Sequence, residues 1–428
     1  MNRINVNIRA IGAFVPGHAI GKNKHRIIEF ADRCKIPKEY VKHMDETGCY
    51  PGDVWTNDFW IKQPWYDHWI SKLPAKRKKD PFYGTIERRI CPIDPVSVRT
   101  TVNPHRMKPT DAACLAIASV MGNCVDRNGK PLYKLSDFSL MYEHSMPSET
   151  DTPTSCCLIH EKAGFPETTF PKTISNCCAS GVSALESMGH AIMSGEHERG
   201  IIVMTCCHSD FIDFSDPDVS TRWGDLAVAM IVEKSDKLGI ISSGYLTHGK
   251  LHDAIGVKIR EPKLASSFEL SGKILRPFCT LGDTSAGAEL AKKCGSDLKR
   301  VFDICKLNAK KFKGIDITKN PQAILAHQPT YWSPETWYTA LGMPFDARTN
   351  TYNQTANIAN CSALYNFLIA ADRGVLTPGN PSLLCSSGAG ENIIGMLINT
   401  GQEFIDYVKM SGPFAIESAG KNHNSVSH

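Results

Sequence analysis

The stretch from Lys172 to Cys206 constrains the fold more than any other part of the chain. Residues 172–176 read as a short buried strand. Residues 179–194 read as a helix, because Val182, Leu185, Met188 and Ile192 fall along one stripe and Gly195 stops it. Residues 200–206 form a second apolar strand. Strand, helix and strand joined by short loops make a βαβ unit, and such a unit demands parallel strands in one sheet.

The same grammar surrounds this unit. Residues 3–14 alternate into a strand ended by Pro16-Gly17, helices follow near 25–34 and 109–122, and Gly224-Asp225 leads into a strand over 226–232. After Lys237 the pattern begins again, with a strand at 239–243 and a long helix at 286–308. A buried strand at 322–326 ends at His327, Ser333-Pro334 starts another helix, 358–373 is a helix closed by Gly374, and strands follow at 382–386 and 393–397. Asn176-Cys-Cys-Ala-Ser has a faint echo in Asn360-Cys-Ser-Ala, each beside a helix start. The expected fold class is therefore α/β with duplicated βαβ halves, 1–237 and 238–428.

Residues 48–86 break the pattern. They hold Trp55, Trp60, Trp65 and Trp69 and the basic run Lys76-Arg-Lys-Lys79, and read as an insertion or lid, or as a surface excursion that packs its own aromatics.

With 428 residues, 42% hydrophobic and 21% charged, the chain can bury a large core without disulfide or metal support. A net charge of +4 is too small to call for nucleic acid. Lys76–Lys79 and Lys310-Lys-Phe-Lys313 are solvated faces or landing sites for an acidic carrier or a phosphate tail. The 16 cysteines, most in apolar surroundings, read as reduced thiols. The first residues hold no apolar signal core and no run approaches the roughly 20 apolar residues of a membrane span, so a cytoplasmic location is expected. No Cys-x-x-Cys or His-Glu-x-x-His occurs, and no metal is expected.

Three residues suit chemistry. Cys178 lies where a strand runs into a helix, and free N–H groups and the dipole at a helix start favour thiolate. His327 ends a buried strand, and Asn357 precedes a helix, with Asn360 a rival for its role. Each has a plainer reading: a small core thiol, a satisfied core histidine, a helix cap. Cys177 is expected to face the opposite side of its strand, since successive side chains alternate. His208, after Cys206-Cys207, is expected to be structural.

These residues resemble the thiolase-fold condensing enzymes, most of all β-ketoacyl-acyl-carrier-protein synthase III. The resemblance runs from Ile11-Gly-Ala-Phe-Val-Pro16 through Cys178-Ala-Ser-Gly-Val-Ser-Ala-Leu, Gly224-Asp225, His327-Gln328, Asn357 and Leu376-Thr-Pro-Gly379 to Gly388-Ala-Gly390. Pro329 and Thr330 depart from the family's His-Gln-Ala-Asn, Leu226 replaces a glycine, and 48–86 is not typical. The resemblance implies layers of helix, sheet, helix, sheet and helix. It implies an acyl group held on Cys178, an oxyanion pocket from the N–H of Cys178 and one from the Gly388–Gly390 turn, and His327 and Asn357 on the carbonyl of a malonyl-type thioester. Substrates would be acyl-carrier-protein or coenzyme A thioesters, with no metal, redox or other cofactor, no nucleic acid and no membrane, in a homodimer. In ring-forming relatives of the dialkylresorcinol or bacterial stilbene type a loop acid crosses the dimer interface, and Glu149 is the candidate base here. Alternatives are acyl transfer to an oxygen or nitrogen nucleophile, a cysteine hydrolase using the order Cys, His, Asn, or a silent partner subunit. The Cys-Gly-Ser-Cys-Trp signature of papain-like hydrolases is absent.

Overall fold

The computed structural model describes residues 4–82, 84–92, 107–149, 152–210, 212, 216–252, 254–260, 276–281 and 284–416. Strand β1 (Asn5–Phe14) is followed by helices Lys24–Arg33 and Lys38–Thr47. β2 (Asp53–Thr56) and β3 (Glu87–Ile90) pair antiparallel and bracket three short helices, Asn57–Ile61, Tyr66–Lys72 and Ala75–Lys79. The Pro109–Asn123 helix, β4 (Leu140–Met146), the Ser155–Ala163 helix, β5 (Phe170–Thr173), the Ser180–Met193 helix, β6 (Arg199–Cys207) and β7 (Asp225–Ser235) come next. Then follow β8 (Ile240–Thr247), the antiparallel pair β9 (Ile255–Arg260) and β10 (Arg276–Leu281), and the Thr284–Asn308 helix. The chain continues through β11 (Ile324–Ala326), helices Ser333–Ala340 and Ser362–Asp372, β12 (Pro381–Gly388), β13 (Asn392–Asn399) and the Gln402–Ser411 helix.

Two main sheets result, in the orders β1-β7-β6-β4-β5 and β11-β12-β13-β8. Their directions repeat. β4 is parallel to β6, which is antiparallel to β7, which is antiparallel to β1. β11 is likewise parallel to β12, and β13 is antiparallel to both β12 and β8. The duplication is thus present in topology, although the letter echo is two residues out of register. The short turn Cys177–Ala179 before one central helix corresponds to Ala359–Cys361 before the other, so Cys177 stands opposite Ala359 rather than Asn176 opposite Asn360.

The Ser180–Met193 and Ser362–Asp372 helices lie between the sheets, touching strands of both. Every residue from Ser362 to Ala371 is buried, so this helix is apolar all round rather than striped. The fully buried Pro109–Asn123 helix covers the far face of the first sheet, and Thr284–Asn308 covers that of the second. Two expectations need correction. β5 spans Phe170–Thr173, not 172–176, and is an edge strand rather than a buried one; Pro171 lacks an N–H and suits an edge, and Phe170 is 64% exposed. The βαβ unit is parallel as expected, but β4 lies between β5 and β6. The Gln402–Ser411 helix, absent from the sequence reading, crosses back to the first half: Tyr407 Oη donates to the Ile11 carbonyl at 2.8 Å, and Phe404 stacks on Phe367 at 4.8 Å.

Residues 48–86 pack their own aromatics. Trp55, Trp60, Trp65, Trp69, Phe82 and Ile90 form a small separate core. Arg88, wholly buried, lies 5.2 Å from the Trp60 ring centroid and 5.4 Å from that of Phe82, and burial lowers it to about 9. Its Nε and Nη2 both donate to the Thr221 carbonyl, and Trp69 Nε1 donates to Asp218 Oδ1 at 3.2 Å. The insertion therefore braces the segment ahead of Arg222–Gly224. Trp60→Ala removes the centre of this core and is expected to cost about 3–5 kcal/mol; limited proteolysis should then cut between β2 and β3 while the rest of the chain stays resistant.

Candidate active site

The strand β5 ends at Thr173, and the chain enters the central helix through the tight turn Cys177–Ala179. The Ser180 hydroxyl donates to the Cys177 carbonyl at 2.7 Å, and the Ala179 N–H donates to the Asn176 carbonyl at 3.0 Å. Cys177 has φ +50°, a left-handed conformation that costs a non-glycine residue about 1–3 kcal/mol and persists only where the surroundings over-determine it. Because this is a turn and not a strand, side chains do not alternate. The Cys177 thiol lies 3.9 Å from that of Cys178, on the same side, which corrects the expectation that it points away.

The second half closes over this turn. Ser386 Oγ donates to the Cys178 carbonyl at 2.8 Å, and Asn392 Nδ2 donates to Asn176 Oδ1 at 2.8 Å. A Cβ on Gly388 would stand 2.5 Å from the Asn176 carbonyl oxygen, so only glycine permits this approach. The middle residue of the Gly388–Gly390 turn, Ala389, directs its N–H at the cysteine pair. The Cys177 thiol is lowered to about 6, first by the hydrogen bond from the Cys178 thiol and then, against burial, by the N–H groups of Ala389 and Cys178. Two backbone donors thus converge on one sulfur. The turn donor is Ala389; Gly388 supplies the close approach and Gly390 the turn's φ of +132°.

His327 follows β11, its N–H donating to the Cys385 carbonyl at 3.0 Å, one residue before Ser386. It is buried, its Nδ1 has no partner among the described residues, and burial pushes it down to about 3. The ring is neutral, so it carries one N–H to donate. Gln328 is pinned: Nε2 donates to the Thr349 carbonyl at 2.7 Å, and Oε1 accepts the N–H groups of Thr351 and Tyr352. That ties His327 to the loop leading to Asn357. Asn357 bridges to Trp223, its N–H donating to the Arg222 carbonyl at 2.9 Å and its carbonyl accepting the Gly224 N–H at 3.1 Å. Its Oδ1 accepts the Ala359 N–H at 2.9 Å, which fixes the amide orientation and leaves Nδ2 to donate. Asn360, the rival, is consumed: its Nδ2 donates to the His144 carbonyl at 2.7 Å.

His208 lies closer to the chemistry than expected. Its Nδ1 is 2.6 Å from Cys206 Sγ and its ring stacks on Trp223 at 4.1 Å. Burial, and then the neighbouring His327, push it down to about 3. Asp225 of Gly224-Asp225 is wholly buried and accepts from the Cys91 and Ser209 N–H groups at 2.8 and 3.0 Å. Glu149 sits elsewhere in the chain, its Oε2 accepting from Thr110 Oγ1 at 2.5 Å and its N–H donating to Ser155 Oγ at 2.9 Å. The candidate residues thus offer a hydrogen-bonded thiol pair with two backbone N–H donors, a neutral imidazole at His327 and a carboxamide at Asn357 oriented to donate.

Residues 173–249 match the family model of 3-oxoacyl-[acyl-carrier-protein (ACP)] synthase III. A β-ketoacyl-[acyl-carrier-protein] synthase III of Alkalilimnicola ehrlichii is 23% identical over 123 residues, 29% of this chain and 38% of that protein. One of Clostridium acetobutylicum is 24% identical over 149 residues, 35% of this chain and 44% of that protein. The chain thus matches about two fifths of the length of these curated relatives. The crystal structure of the Aquifex aeolicus VF5 synthase III superposes with a TM-score of 0.61 at 15% identity, covering 92% of this chain and all of the other. The fold is that of these thiolase-fold synthases. In sequence the chain is similar to β-ketoacyl-[acyl-carrier-protein] synthase III over residues 173–249.

Two pH effects follow. Alkylation of the Cys177–Cys178 pair should rise through about pH 6 and level off above it, while Cys206 and Cys361, pushed well up by burial, stay unmodified; peptide mapping after iodoacetamide treatment at a series of pH values checks this. His208 and His327 are neutral when folded, but the unfolded chain takes up their protons below about pH 6.5. Their contribution is present above that pH and lost as pH falls toward about 3, at up to about 1.4 kcal/mol per pH unit for each ring. Urea unfolding midpoints measured across this window should fall, less steeply in His208→Gln.

Proposed function

We propose that the chain is a ketosynthase that joins an acyl group held on Cys178 to a malonyl- or β-ketoacyl-type thioester, in fatty-acid or polyketide-type metabolism. The observation that carries this reading is the pair of N–H donors, from Cys178 and Ala389, converging beside the two thiols at the start of a buried helix. The Cys178 thiol gives its proton to the Cys177 sulfur hydrogen-bonded to it, and the Cys178 sulfur attacks the carbonyl carbon of an acyl thioester. A new C–S bond forms, the bond to the carrier sulfur breaks, and the carrier leaves as a thiol with the proton that Cys177 took from Cys178. The oxyanion of the tetrahedral intermediate takes the two N–H donors in place of the Cys177 sulfur. A malonyl-type extender then loses its carboxylate as carbon dioxide, and the electron pair of the broken C–C bond stays on the α-carbon. Negative charge gathers on its thioester oxygen, where the His327 N–H and Asn357 Nδ2 donate, each worth ~3 kcal/mol. The carbanion attacks the acyl carbon, the C–C bond forms, the C–S bond to Cys178 breaks, and the thiolate returns. Neutral His327 suits this role, because a donor is needed there and not a proton acceptor.

The thioester arrives on an acyl carrier protein or coenzyme A, and the exposed Ala75–Lys79 helix offers an acidic carrier a basic surface. A homodimer is proposed on the open edge of β5, where Phe170 is exposed and one side of the strand has no neighbour among the described residues. Glu149, held by Thr110, is proposed as the base of a subsequent cyclisation, acting on the partner's site across such an interface. The halves 1–237 and 238–428 are proposed as the units that contribute the nucleophile and the two donors.

Intact-mass measurement with a panel of acyl-coenzyme A and acyl-carrier thioesters tests the reading. Wild type and Cys177→Ser should gain the acyl mass and Cys178→Ser should not. His327→Ala and Asn357→Ala should load normally yet release carbon dioxide from malonyl thioester about 10²–10³-fold more slowly. An adduct on Cys177 instead, or carbon dioxide release untouched in both variants, overturns it.

A further inference from the structure

Outside the thiol site, three ligand-type side chains from three elements meet at one end of the second sheet. His248 and Glu391 lie just past the paired ends of β8 and β13, and each accepts the other's backbone N–H, at 2.9 and 3.3 Å. Their side chains therefore share one face of the sheet. The Thr284–Asn308 helix crosses that face and brings Asp297 to the same place. His248 Nε2 is 2.9 Å from Asp297 Oδ2, and one ligating atom from each of the three residues falls within 4.8 Å of the others.

Asp297 and Glu391 are buried, Glu391 wholly. The oxygens of Glu391 differ. Oε1 accepts from Ser387 Oγ at 3.0 Å, whereas Oε2 is buried and has no partner among the described residues. A buried carboxylate oxygen left bare is costly unless something else satisfies it. Arg300 pairs with Asp297 Oδ1 at 2.8 Å and leaves Oδ2 to His248, and Lys293 pairs with Glu289 at 2.6 Å, so neither cation bonds the free oxygen of Glu391.

We propose that His248, Asp297 and Glu391 bind a divalent transition-metal cation such as zinc or manganese. One imidazole and two carboxylates are the donor set for these ions, whereas magnesium and calcium prefer oxygen alone. Two ligands at about 2.0–2.1 Å from a tetrahedral ion stand roughly 3.3 Å apart, close to the present spacing of His248 Nε2 and Asp297 Oδ2. The ion takes the place of the proton shared by that pair and meets the bare Glu391 oxygen. The donors lie far apart in the chain, so no compact zinc motif announces them.

The ion would act as a clamp. Glu391 follows the Gly388–Gly390 turn directly, Ser387 is bonded to it, and Asn392 is bonded to Asn176 beside the cysteines. Fixing Glu391 fixes the turn that carries the Ala389 N–H. This consequence rests on the ketosynthase reading; cation binding itself does not.

Full-length protein stripped with a chelator and dialysed against manganese(II), which avoids the thiols, tests the site by metal analysis and thermal unfolding. Wild type should retain about one ion per chain and unfold at higher temperature with manganese than without. Glu391→Gln, which keeps size and the Ser387 contact, should retain at least about 10-fold less and lose the thermal shift. Asp297→Asn should do the same, and serves if the first variant fails to fold. Wild type retaining no stoichiometric manganese, or both variants retaining as much as wild type, overturns the proposal whether or not the protein condenses thioesters.

Discussion

The structure depends on one close contact between its halves. The turns that begin the two buried helices, Cys177–Ala179 and Ala359–Cys361, press against each other between the sheets. A Cβ on Gly181 would sit 2.5 Å from the Asn360 carbonyl oxygen, so the backbones meet at a distance that only glycine allows. Both turns hold a non-glycine residue with positive φ, Cys177 at +50° and Ala359 at +40°. Strained backbone of this kind survives because two sheets and two helices hold it from all sides. Everything that touches the thiols is positioned by this junction.

Burial then sets the electrostatics. Taking His208 and His327 out of water keeps both neutral, and taking most of the core thiols out of water keeps them protonated. The Cys177–Cys178 pair departs from this rule because hydrogen-bond donors outweigh the desolvation. Two backbone N–H groups and a neighbouring thiol favour negative charge there, and no cationic side chain is among the causes. A site built from backbone dipoles is pre-organised, since those donors are held by the fold and need not reorient.

The chain also supports this junction from outside. The aromatic insertion stacks on Arg88, Arg88 holds Thr221, and the next residues, Arg222–Gly224, hold Asn357 in place. The final helix returns to β1 and fastens the end of the chain to its beginning. On the other side, the cluster of His248, Asp297 and Glu391 sits directly behind the turn that bears Ala389. Each support reaches the same few backbone groups from a different direction.

Local pattern determined a good deal. The apolar stripe Val182, Leu185, Met188 and Ile192 specified the central helix, and the short apolar runs around it specified a parallel arrangement, because side-chain periodicity reflects which faces are buried. Cys178, His327 and Asn357 were identifiable as reactive residue types at the ends of elements. Tertiary structure alone decided the rest. Only packing shows that β5 is an edge, that β4 lies between β5 and β6, and that the Gln402–Ser411 helix crosses to the first half. Only the turn's left-handed Cys177 puts both thiols on one side, and only contacts between distant segments show that the Asn360 amide donates to the His144 carbonyl and that the Ala389 N–H is directed at Cys177. Periodicity records whether a residue is buried; it carries no record of what it is buried against, and hydrogen bonds between segments more than 200 residues apart, such as Ser386 to Cys178, leave no local trace.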